Sequence, residues 1–258
     1  MGRVKIFTNH VPMSINVVIR SDEFRDLQVY VKHPNYPNTA LTSRILPRFR
    51  GEKKIKFLLP ITPENVEIVL RDAHTKDDFA PKIISYEKTH LDTRISAFNT
   101  KNKYLLEFIN FARDFCLKAS FLPVGKYNST PLGNIKTDYV DKIITKNAET
   151  GLEITTTSVA RVDGITRVID VAQTYFKELT VSERFAILCH EFAHVFLNVN
   201  PTDEFEADKH AAMIYLGLGF PRVDLISAWY KVYKNANNKM NNQRHDKFMQ
   251  YVKNFDNI

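Results

Sequence analysis

The sequence predicts an α+β protein of two parts, a small β-sandwich over residues 1–90 and a helix-rich domain over residues 91–258. Three observations carry that expectation. Short β-branched or alternating runs dominate the first ninety residues. A helical apolar period begins soon after residue 100. An apolar run at 185–197 is long enough for a central helix. A chain of 258 residues, 44% apolar and 25% charged, can supply a core for each part.

In the first part the runs fall at 4–7, 15–20, 27–32, 54–59, 66–71 and 82–86, separated by turn-prone clusters such as His33-Pro34-Asn35-Tyr36-Pro37-Asn38. Several short strands at that spacing suggest a sandwich. His10, His33, His74 and His90 have no ligand spacing, so this part reads as a docking module rather than a site of chemistry. It also holds most of the excess charge: 15 Lys and Arg face 10 Asp and Glu here, against 21 and 19 in the remainder. Arg44, Arg48, Arg50, Lys53, Lys54 and Lys56 concentrate it. Nucleic acid or an acidic partner could use that stretch, but no nucleic-acid-binding motif accompanies it, and a solvated basic loop explains it as well.

In the second part, Tyr104, Leu105, Phe108, Ile109, Phe111, Ala112, Phe115 and Cys116 recur at helical spacing and predict an amphipathic helix over 103–119. Residues 152–161 and 165–171 are β-rich and flank Asp163-Gly164, which predicts a hairpin. Thr180-Val181-Ser182-Glu183 reads as a capping box and starts a helix over about 181–198. Asn198, Asn200 and Pro201 end it. Residues 223–233 and 244–253 look helical, with the Asn-rich 235–243 as a loop between them.

The helix at 181–198 carries His190-Glu191-Phe192-Ala193-His194. Residues four apart share a helix face, so the two imidazoles can bind one Zn²⁺. Glu191 can then reach a water on that metal without ligating it, which supplies a Lewis acid, a nucleophile and a general base. A pair of core histidines would explain the imidazoles but not a glutamate set among Phe185, Ile187, Leu188, Phe192 and Val195, where an unpaired carboxylate is costly. A third histidine of the metzincin kind is absent: Leu197 and Asn200 stand where that pattern has glycine and histidine. The following segment instead offers Glu204 and Asp208, four apart on one face. One can ligate the metal while the other orients a histidine.

HEFAH followed by Glu204-Phe205-Glu206-Ala207-Asp208-Lys209-His210-Ala211 resembles the gluzincin metallopeptidases, whose pattern is HExxH and then ExxxD on a later helix. The wording is similar to CAAX-prenyl-protease-like and heat-shock membrane peptidases, and to compact ImmA/IrrE-like and phage-encoded metallopeptidases. The resemblance covers residues 150–218. It implies a compact zincin-like domain with zinc held by His190, His194 and Glu204, Glu191 as general base and Asp208 behind a histidine. The short step from His194 to Glu204 demands a tight helical hairpin, in which Asp208 becomes the alternative ligand. His210 and Tyr215 are candidates for stabilising an oxyanion, with an ordinary structural place in the helix as the alternative.

The expected function is a zinc-dependent endopeptidase acting on a polypeptide. Its rival is a structural or assembly component of a phage particle, with protein partners or self-association through the N-terminal domain. No stretch approaches 18 apolar residues, and the N-terminus alternates polar and apolar residues, so neither a membrane span nor a signal peptide is expected. The two cysteines, Cys116 and Cys189, fall on apolar helix faces, consistent with reduced thiols in a cytoplasmic or virion protein.

Overall fold

The structure is a computed structural model describing residues 2–74, 82–91, 103–146, 150–233 and 239–255. It is α+β, and the chain divides into two compact units: Met1–Ile95 with Leu218–Pro221, and Ser96–Gly217 with Arg222–Ile258.

The first unit is built on one five-stranded sheet rather than the two sheets of a sandwich. Its strands are β1 (Gly2–Phe7), β2 (Met13–His33), β3 (Tyr36–Leu59), β4 (Asn65–Asp72) and β5 (Lys82–His90). The runs at 15–20 and 27–32, expected as separate strands, are two halves of β2. Its polar stretch 21–26 stays in the strand and is accommodated by irregular register against β3, where Ser21 pairs with Gly51 but Leu27 pairs with Leu46. Such bulges bend a strand without ending it. Left-handed backbone at Arg48 and Gly51 sits opposite the bend, and the Arg48 N–H donates to Asp26 Oδ1 at 2.6 Å.

The bend lets β2 change partner along one edge. Met13–Arg20 pairs with β5, and Leu27–Lys32 pairs with β4. The same parity is buried in both halves, through Ile15, Val17, Ile19, Leu27, Val29 and Val31. β1 and β5 do not pair, yet they lie against each other, and Lys88 Nζ reaches Phe7 O at 2.7 Å. The sheet thus curls over its own apolar face. The basic residues 44–56 all lie on β3, which pairs only with β2 among the described residues. Lys54 meets Glu87 at 3.1 Å and Arg50 lies over the Phe24 ring. Charge along such an edge opposes edge-to-edge pairing.

The second unit is centred on the capped helix. It comprises α1 (Lys103–Lys118), β6 (Gly125–Asn128), β7 (Lys136–Val140), β8 (Ile144–Lys146), β9 (Glu153–Thr155), β10 (Ala160–Val162), β11 (Val168–Ala172), α2 (Gln173–Phe176), α3 (Val181–Phe196), α4 (Glu204–Gly217), α5 (Arg222–Tyr233) and α6 (Lys239–Asn254). A four-stranded sheet runs in the order β10-β11-β7-β6, with β11 parallel to β7. The predicted hairpin forms between β10 and β11 only. Residues 153–155 leave it to pair with β8. Its turn spans five residues, not two, because Asp163 Oδ1 accepts from the N–H groups of Ile165 and Thr166.

α3 is buried along nearly its whole length. Phe192 stacks on Phe108 of α1 at 4.2 Å. The capping box is present, with the Thr180 N–H donating to Glu183 Oε2 at 3.0 Å and the Glu183 N–H to Thr180 Oγ1 at 3.3 Å. One residue of α3 that reads as ordinary surface charge is central to the fold. Arg184 is wholly buried and donates to Phe176 O, Cys116 O, Lys177 O and Ser120 Oγ, tying α1 and the α2 turn to α3. Cys116 and Cys189 are free and buried, and burial pushes both thiols up. The expected loop over 235–243 is corrected in part: 239–243 are already helical, as the first turn of the sixteen-residue α6, where the helix that follows carries residues of weak helix preference. Residues 234–238 lie outside the described part. No helix among the described residues is long and apolar enough to cross a membrane.

Candidate metal centre

His190 and His194 stand on consecutive turns of α3, with rings 4.6 Å apart. The chain leaves α3 at Leu197 and turns back within a few residues. Asn198 Nδ2 donates to Asp203 O at 2.9 Å, and Asp203 Oδ1 accepts the Glu206 N–H at 2.9 Å as α4 begins. The turn also reaches the site. His194 Nδ1 lies 2.7 Å from Pro201 O. A carbonyl can only accept, so this contact places the proton on Nδ1 and leaves the Nε2 lone pair pointing outward.

Glu204, the first residue of α4, projects back over both rings. Its Oε2 lies 3.3 Å from His190 Nε2 and its Oε1 lies 3.6 Å from His194 Nε2. The two Nε2 atoms are 3.0 Å apart. His190, His194 and Glu204 thus form a group that could hold a metal ion, its ligand atoms all within 4.8 Å of one another. It is the single group of this kind among the described residues, so His10, His33, His74 and His90 take part in none. Asp208, the alternative ligand, lies close to His190 but on its far side. Its Oδ1 is 3.0 Å from Nδ1, off the line of a well-aligned hydrogen bond.

Glu191 is buried, and the Val162 backbone N–H of β10 adds a small stabilisation of its charged form. Burial raises its pKa, and the two nearby imidazoles counter that only partly. A cleft of about 550 Å³ joins these groups. Ala160 and Val162 of β10, with Val159 just before it, form one wall. Ile187, Val195, Trp229 and Val232 supply apolar surface from α3 and α5. His210 and Tyr215 are not in it. His210 is half-buried beside Glu206. Tyr215 is fully buried against Phe185, where α4 packs on the core.

Two residues that no spacing announces complete the centre. Arg244 of α6 places Nε 2.5 Å and Nη2 2.7 Å from the two oxygens of Asp208, and Nη1 2.6 Å from Glu204 Oε2. Trp229 of α5, the one tryptophan of the chain, donates Nε1 to Asp208 Oδ1 at 3.0 Å. Asp208 is therefore fully buried yet held below the usual carboxylate range: burial raises its pKa, and Arg244 and His190 outweigh that. His190 and His194, with Arg244, hold Glu204 far below that range.

Comparison with known proteins places the chain in no family: no family model, no curated protein and no solved structure matches it.

The electrostatics make a prediction about protons. Burial pulls the His190 pKa down, but Asp208 and Glu204 outweigh it and push it up to about 10. In metal-free protein the imidazolium therefore contributes stability at and below the ordinary histidine value, and that contribution is lost as pH rises through about 10. A metal ion competes with this proton for Nε2. Metal binding below that pH should release a proton, and apparent affinity should rise with pH. Calorimetric titration in buffers of different ionisation enthalpy reads the proton directly, and a buffer-independent heat would contradict the assignment.

Proposed function

We propose that this chain is a zinc-dependent endopeptidase. The observation that carries the reading is the convergence of the two Nε2 atoms and the Glu204 carboxylate. Tetrahedral zinc with ligands at 2.0–2.1 Å has edges of about 3.3 Å. The two Nε2 atoms are 3.0 Å apart, and the two Glu204 oxygens each face one of them, Oε2 at 3.3 Å from His190 and Oε1 at 3.6 Å from His194, all near that value. Both imidazoles also have their Nδ1 sides engaged or approached from behind, by Pro201 O and Asp208, which leaves their Nε2 lone pairs for a cation. A set of two histidines and one carboxylate, with a fourth position open to a cleft, suits a catalytic rather than a structural zinc.

Zinc bound there supplies a Lewis acid that polarises a carbonyl and makes water acidic enough to attack near neutral pH. The protein supplies the rest. Glu191, its basicity raised by burial, takes the proton from the attacking water as the C–O bond forms. It then delivers that proton to the amide nitrogen as the C–N bond breaks, so it ends as it began. Glu191 and Val162 of β10 line the same cleft. β10 is the outermost strand of its sheet. Ala160, of the same parity as Val162, turns its backbone toward the same side. An extended peptide pairing there would lie across the ligand atoms, with its side chains against Ile187, Val195 and Val232.

Purified protein should contain about one zinc per chain and cleave an unstructured polypeptide. Chelation should abolish cleavage, and added zinc should restore it. Protein that holds zinc stoichiometrically but cuts nothing in a diverse peptide library would defeat the peptidase reading and leave a zincin scaffold.

A further inference from the structure

We infer that Arg244 is a positioning residue for the metal centre, and that the C-terminal helix α6 is thereby part of that centre. The inference rests on the zinc reading above. Glu204 supplies one of the three ligand atoms, yet its side chain is 53% exposed and it begins a helix. A glutamate so placed ordinarily samples several rotamers. Here one oxygen is gripped by Arg244 Nη1 at 2.6 Å. The rest of the guanidinium is fixed by a two-pronged contact with Asp208, which is itself wholly buried.

One planar group therefore sets two carboxylates of α4 at a fixed separation. One of them faces both Nε2 atoms, and the other backs His190. Only a fork with several donors can do this; an ammonium is a single point of charge. The arrangement reaches further into α6. Phe248 of that helix stacks on Trp229 at 4.8 Å, and Trp229 donates to the same Asp208. Docking of α6 and the geometry of the metal ligands share one set of contacts. Linkage requires that if α6 strengthens metal binding by some factor, metal binding strengthens α6 docking by the same factor.

The first test is Arg244→Lys, which keeps the charge and the aliphatic stem. Zinc affinity, measured by competition with a chromophoric chelator, should fall about 10- to 100-fold, with helical content by circular dichroism unchanged. In a Glu204→Gln background the same substitution should cost markedly less, because one of the carboxylates it positions is gone. The second measurement needs no variant and decides the matter even if Arg244→Lys does not fold. Amide exchange of residues 239–255 in the wild type should slow about tenfold or more on adding zinc. Zinc binding by the wild type, with undiminished affinity in Arg244→Lys, independent effects in the double variant or unchanged α6 exchange, would overturn this inference and leave the zinc reading standing. Failure of the wild type to bind zinc would overturn both.

Discussion

Replacing Glu191 by glutamine should lower peptide hydrolysis by roughly 10²- to 10⁴-fold while leaving zinc content at the wild-type level. At 1.36 kcal/mol per decade, that is about 3–5 kcal/mol of transition-state stabilisation. The separation of the two effects follows from geometry. His190, His194 and Glu204 converge on one another, whereas Glu191 stands outside that group and lines the cleft beside them. Glutamine keeps the size and shape of the side chain, but it cannot take a proton from water. A second consequence has the opposite sign. Burial raises the Glu191 pKa, so in metal-free protein its contribution to stability is present at low pH and is lost as pH rises through the raised value. Above that raised value the ionised group costs stability, and there metal-free Glu191→Gln should melt no lower than the wild type and unfold with a shallower pH dependence. A loss of activity accompanied by loss of metal would show that Glu191 is a ligand, and the assigned role would fail.

Asp208→Asn should cost about 3–5 kcal/mol of stability, read from urea denaturation of the metal-free protein. Asp208 is wholly buried and faces donors on every side: the Arg244 fork, Trp229 Nε1 and His190 Nδ1. Asparagine keeps the shape but turns an amide N–H₂ toward one of those donors and removes the two-pronged carboxylate from Arg244, which keeps its contact with Glu204. The cost is the penalty of removing one partner from a buried ion pair and facing its donors with a neutral amide, not the net worth of the pair. The pH dependence follows from the same contacts. The folded pKa of Asp208 lies below its ordinary value, so its contribution is present above about pH 4 and is lost as pH falls through the folded value. The asparagine variant should lack that part of the acid transition. Zinc affinity should fall as well, since the group behind His190 is gone, by about one to two decades. A variant as stable as the wild type would mean that Asp208 is not the hub these distances describe.

Much of the centre was legible because it is local. The Thr180–Glu183 capping box, the apolar course of α3 and the four-residue step from His190 to His194 all lie within one helix, where spacing alone sets which side chains share a face. The turn at 163–167 and the amphipathic α1 were readable for the same reason. Strand lengths in the first unit were less so. Whether residues 21–26 end a strand or pass through it as a bulge depends on what β3 offers opposite, and that partner is tens of residues away.

By itself, then, the sequence determined an α+β chain with a capped, buried helix that presents two imidazoles and a glutamate on neighbouring faces. Tertiary structure alone placed Glu204, and not Asp208, beside the two Nε2 atoms, because equal spacing on α4 makes them equivalent until the approach of α4 to α3 is known. It also removed His210 and Tyr215 from the cleft. It added Arg244 and Trp229, which stand on helices whose sequences carry no motif. Ligand pairs within one helix are set by backbone geometry over a single turn. Groups that hold a ligand from behind are set by how helices dock, and docking is a sum of contacts between residues far apart in the chain.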